Sequence, residues 1–98
     1  MGLFDILLGS SAHYSPEPHP LTREQIRRLV SRLSVRTLTA EEEQAVEQAI
    51  DAARYGDGHI SLQTINTTLH SLEQEHRISA NDRKGLIKVF SDFFSHGA

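Results

Sequence analysis

Asp57 stands between Gly56 and Gly58, with Ile60 and Ser61 close behind, in the stretch Arg54-Tyr55-Gly56-Asp57-Gly58-His59-Ile60-Ser61. A carboxylate on a glycine turn beside a hydroxyl is the chemistry of a hard-cation loop. Calcium loops present oxygens at positions 1, 3, 5, 9 and 12, with glycine at 6 for the sharp turn. With Gly58 at position 6, Asp57 and Ser61 fall on positions 5 and 9, and Ile60 falls on the apolar position that pairs across a short ribbon. Positions 1, 3 and 12 are then Ala53, Tyr55 and Thr64, none of them anionic. With Gly56 at position 6, Asp51 is recovered at position 1, but Tyr55 and Leu62 stand where oxygens are needed. Affinity follows the number of charged ligands, so no metal is expected here. The same residues read as a left-handed helix stop at Gly56, a tight reversal, and a cap at Ser61.

Other reactive constellations are thinner. Glu73 and His76 have the Glu-x-x-His spacing of di-iron bundles, but no second such pair follows and His70 lies well round the helix. The remaining histidines read as solvated. The chain has no cysteine, which removes disulfides, thiolate metal sites and thiol nucleophiles together. No serine sits in a nucleophile elbow, and no glycine-rich loop is followed by Lys-Ser or Lys-Thr. Neither an enzyme nor a cofactor is expected.

Charge and apolar surface point to binding instead. Residues 21–36 carry Arg23, Arg27, Arg28, Arg32 and Arg36 against Glu24, whereas residues 38–54 carry four glutamates and Asp51 against Arg54. Two adjacent antiparallel helices attracting one another account for most of this. Arg28, Arg32 and Arg36 recur every fourth residue, so a continuous helix puts them on one face, where they could dock an acidic partner or a phosphate backbone. At the amino end, the spacing of Leu3, Phe4, Leu7 and Leu8 would give one apolar face over two short helical turns; at the other end stand Phe90, Phe93 and Phe94. That is more apolar surface than four short helices readily hide, so an interface is expected, with a homodimer as one form of it.

The elements that hold these residues follow from cap grammar. Leu21-Thr22, Leu38-Thr39, Ile60-Ser61 and Ile78-Ser79 each place a hydroxyl behind an apolar residue, and Gln25 and Glu42 complete two capping boxes. Apolar residues then recur with helical period: Ile26, Leu29, Val30 and Leu33; Val46, Ala49, Ile50 and Ala53; Leu62, Ile65, Leu69 and Leu72. The last segment, with Leu86, Ile87, Val89, Phe90, Phe93 and Phe94, is wider than one stripe. Residues 9–20 hold all three prolines among small polar residues and read as an extended linker. The expected fold is all-α: a compact four-helix domain at 21–96, the linker at 9–20, and a short apolar docking segment at 1–8.

The stretch DGHISLQTINTTLHSLEQEHRISANDRKGLIKVF resembles the TerB-like domains of tellurite-resistance proteins. Asp57-Gly58, Ile60-Ser61 and Ile78-Ser79 stand where those domains place a turn, a cap and a second cap, with Asp82 and Leu86 continuing the pattern. The likeness covers residues 45–94. It implies a helical domain with acidic metal-binding positions, but Gln63 and Thr64 occupy those positions here, so metal binding does not carry over. The segment equally resembles EF-hand-derived interaction domains that have lost calcium. Both resemblances imply a helical binding module.

At 98 residues, 38% hydrophobic and 23% charged, with a formal charge of −3, the chain supports one ordinary small domain without a global basic field. The amino terminus lacks a basic leader and has Ile6 where a myristoylation signal needs a hydroxyl. A soluble cytoplasmic protein is expected: a non-enzymatic protein–protein interaction module, either an adaptor or an accessory subunit. Its contacts are expected at Leu3, Phe4, Leu7, Leu8, Arg28, Arg32, Arg36, Phe90, Phe93 and Phe94, with neither nucleic acid nor membrane as partner. The competing expectations are a metal-responsive domain using Asp57 and a small nucleic-acid-binding regulator using the arginine face.

Overall fold

Hydroxyl caps start every helix. Thr22 and Thr39 each accept from the backbone amide three residues on, and Gln25 and Glu42 reach back to the cap amides. They open α1 (Arg23–Leu29) and α2 (Ala40–Ala53). Ser61 accepts from Thr64 N at 3.0 Å and opens α3 (Leu62–Gln74). Ser79 accepts from Asp82 N while Asp82 accepts from Ser79 N, both at 3.0 Å, a third reciprocal box that opens α4 (Ala80–Ser95). The computed structural model describes residues 14–31 and 35–95; the apolar segment at 1–8 lies outside them. Within them the chain is mostly helical, with one two-stranded ribbon.

The ribbon corrects the reading of residues 14–20 as linker. β1 (Pro18–Pro20) pairs antiparallel with β2 (His59–Ser61), with His19 opposite Ile60. Leu21 N donates to Gly58 O at 3.0 Å, and Gln63 N, an orphan amide of the first turn of α3, finds Ser15 O at 3.1 Å. Two prolines in three residues hide a strand from any propensity reading, because each lacks the N–H that a ladder uses. Pairing is fixed by the partner: Ile60 and Leu21 are wholly buried, and the ribbon is their route into the core.

The second correction concerns α1. Helical spacing through residue 36 predicts one continuous helix, but α1 stops at Leu29, where the Val30 amide bonds Ile26 O and Arg28 O. Val30 and Ser31, which follow directly, propagate a helix poorly. The chain turns so that Val35 and Leu38 are buried as well. Val35 lies over Gly85 of α4, where a Cβ would come within 3.1 Å of Val35 Cγ1. Thr37 donates its hydroxyl hydrogen bond to the buried Asp82 carboxylate, so one acid both caps α4 and fastens this turn to it.

The core runs through every element: Leu21, Ile26, Val30, Val46, Ile50, Ile60, Ile65, Leu69, Leu86 and Phe90 are 1% exposed or less. α3 packs on both α2 and α4, and α4 also meets α1. That second contact accounts for the wide apolar face of α4. No helix among the described residues is long and apolar enough to cross a membrane.

Candidate functional site

The glycine turn is a hairpin tip. α2 ends at Ala53 and Arg54 is already extended, so the helix stop precedes Gly56 instead of using it. Tyr55 and His59 exchange both backbone hydrogen bonds at 2.9 Å, and Gly56 and Gly58 supply the positive φ values, 60° and 85°, that the three-residue reversal needs.

A cation does sit here, and it belongs to the chain. The Arg54 guanidinium donates through Nη1 to Leu21 O at 2.8 Å and through Nη2 to the Asp51 carboxylate. It lies so close beneath Gly58 that a Cβ there would come within 2.9 Å of Nη1. Asp51, the acid that one register of the calcium loop recovers, also accepts from Arg23 at 3.0 Å. Its hydrogen bonds from Arg23 and then Arg54 hold its carboxyl below the usual carboxylate range, and the same bond to Asp51 raises the Arg23 guanidinium. The Asp51 carboxylate and the Leu21 carbonyl are therefore already engaged by guanidinium groups, whereas Asp57 at the tip is exposed. Among the described residues no three His, Asp or Glu side chains come together as a metal site.

Glu73 and His76 part in the same way. α3 ends at Gln74, Glu73 pairs with Arg83, and His76 takes a left-handed φ of 61° beyond the helix. The Arg77 amide bonds Leu72 O and the His76 amide bonds Glu73 O, which is a Schellman stop with histidine where glycine is usual.

The opposed charges of α1 and α2 meet directly. Arg23–Asp51 at 3.0 Å and Arg27–Glu47 at 3.9 Å are one turn apart on each helix and run in opposite senses. Both arginines are about seven-tenths exposed, so solvent screens each pair and it adds little to stability. Of the stripe, Arg28 is on α1 and Arg36 is in a turn before α2, while Arg32 lies outside the described residues.

What remains open is the carboxyl end of α4. Phe94 stacks against His19 of β1 with ring centroids 5.0 Å apart, and Phe93 lies 5.9 Å from Phe94. A cleft of about 430 Å³ is lined by Tyr14, Glu17, His19, Leu62 and Phe94 among others. Beside it a smaller one, about 210 Å³, is lined by Gln25, Arg28, Leu29 and Phe93. Arg28 and Phe93, expected contacts from distant parts of the chain, thus line one cleft, and the Phe93 ring neighbours Phe94 of the other. Phe90 does not join them: it is fully buried in the core, one turn back on the inner side of α4. Leu3, Phe4, Leu7 and Leu8 lie outside the described residues. Tyr14, His19 and Leu62 were not among the expected contacts. The ribbon brings them in, and only recognition of the ribbon could have found them.

The expected excess of exposed apolar surface is not seen on the described residues, where Tyr55 at the hairpin tip is the exposed large hydrophobic side chain. Phe93 and Phe94 are half-buried. In comparisons with family models, curated proteins and solved structures, nothing matches this chain. Its chemistry has to be read from its own geometry.

Proposed function

We propose that the domain is a non-enzymatic helical interaction module, a soluble cytoplasmic adaptor or accessory subunit, whose docking face is built from Arg28, Leu29, Phe93, Phe94 and His19. The meeting of Arg28 with Phe93 in one cleft, beside the Phe94–His19 stack in the next, supports this reading most. A guanidinium beside half-buried aromatic rings is a common composition for the anchor region of an interface. It suits an amphipathic protein segment carrying apolar side chains and an acid.

The two competing readings draw less support. The metal-responsive one would add Asp51 to Asp57, but Arg54 and Arg23 already engage Asp51, and no group of three potential ligands forms among the described residues. The nucleic-acid one needs a continuous arginine face, and α1 ends before Arg32 and Arg36.

Affinity capture from the native cell tests the proposal, comparing the wild type with Arg28→Glu and with Phe93→Ser/Phe94→Ser. The expected result is that one co-purifying protein is lost from both variants while their thermal melts stay cooperative. Identical capture by all three proteins would sink the assignment of this face. Because β1 is part of the fold, any truncation used alongside must stop at His13.

A further inference from the structure

The larger cleft opens where the described chain begins. Tyr14 is a wall of it, opposite Phe94 and Ser95 at the end of α4. Immediately upstream, residues 9–13 are small apart from His13, and upstream of them stand Leu3, Phe4, Leu7 and Leu8. Six peptide steps separate Leu8 from Tyr14, a reach of about 20 Å at ~3.3–3.6 Å each. The apolar segment is thus tethered within reach of an aromatic-lined cleft. Its one side-chain charge is Asp5, and it has no lysine or arginine. The adjoining cleft presents Arg28, which makes no ion pair with a described residue. Apolar character, charge sign and tether length agree on one occupant.

We infer that the apolar stretch at residues 3–8 of this same chain is what covers the Tyr14–His19–Phe94 cleft in the free protein. A short tether sets a local concentration of order millimolar, so at micromolar protein the chain's own segment outcompetes the same segment of a second copy. A foreign partner of the kind proposed above then has to displace it. The cis contact itself stands independently of any foreign partner.

The chain has no cysteine, so Gly2→Cys in the full-length protein gives a single site for a nitroxide spin label. The expected signature is selective loss of amide signal at residues 14–19, Leu62 and residues 91–95, unchanged on dilution. It should be absent when label and ¹⁵N are on different molecules, and abolished by Phe4→Ser/Leu7→Asp in the labelled chain. Either of two results would overturn the inference: uniformly weak broadening across all faces, or broadening that appears between molecules in the mixed sample, which assigns the cleft to a second copy. No partner protein is in the tube, so failure here leaves the capture experiment on Arg28 and Phe93/Phe94 to be judged separately. Conversely, unchanged capture by those variants leaves this contact standing.

Discussion

The hairpin at residues 54–61 and the aromatic end of α4 both collect residue types that suggest chemistry, yet they differ in where their bonding capacity goes. At the hairpin, an acid and a carbonyl accept from a guanidinium of the same loop, which lies beneath Gly58 and keeps only its buried Nε without a partner. At the aromatic end, rings stack only in part and a guanidinium lines a cleft without an ionic partner among the described residues. A suggestive cluster whose guanidinium and carboxylate chiefly engage each other is architecture. One that leaves a cleft beside an unspent charge is a candidate for recognition.

The comparison can be broken at either end, and the largest effect is expected at the hairpin. Arg54→Ala leaves Leu21 O without its donor and Asp51 with only Arg23; it should cost about 2–3 kcal/mol in urea denaturation while leaving partner capture unchanged. Gly58→Ala puts a Cβ against Nη1 on a residue with φ of 85° and should cost about 1–2 kcal/mol. Phe94→Ser, which strips a half-buried ring, should cost only about 1 kcal/mol but abolish capture. If the hairpin variants lost capture and the aromatic variant kept it, the two regions would have to exchange roles.

Acid supplies a gentler probe. The Asp51 carboxyl is held below its unfolded value, so its contribution is fully present above the ordinary carboxylate pKa of about 3.9 and fades as pH falls through the lowered folded value. The stability gap between wild type and Asp51→Asn should therefore be widest at neutral pH and shrink toward about pH 3, as followed by denaturant midpoints. A gap that grew on acidification would mean the arginines do not hold this acid. The smallest expected effect is none at all: calcium at up to about 1 mM, weaker than most sensor sites need, should leave the amide shifts of residues 53–64 in place. Saturable shifts there would reopen the hairpin as a cation site.

Cap chemistry made the helices readable from sequence. All four hydroxyl starts are used, because a cap depends on residues three apart and both are visible in the chain. Long-range pairing was not readable. Arg54 bonds the carbonyl of Leu21, and His19 pairs with Ile60; nothing in their local spacing marks either contact. The early stop of α1 was hidden for a related reason: Val30, Val35 and Leu38 keep an apolar rhythm that fits a helix or a turn equally well, and burial beside Gly85 favours the turn. For the candidate face, Arg28, Phe93 and Phe94 were legible as residue types. Their meeting depends on α4 crossing α1 and on a strand that two prolines disguise. Phe90 looked the same as its neighbours in sequence, and only the direction of the helix face separates core from surface there.

The ribbon also bears on how this molecule associates with itself. Of the three residues of β1, two are prolines, so the strand owns a single backbone N–H, that of His19. An incoming strand from another chain would find almost no donors along it, and a ladder could not propagate. Sheet extension toward fibrils is thereby closed off at this edge.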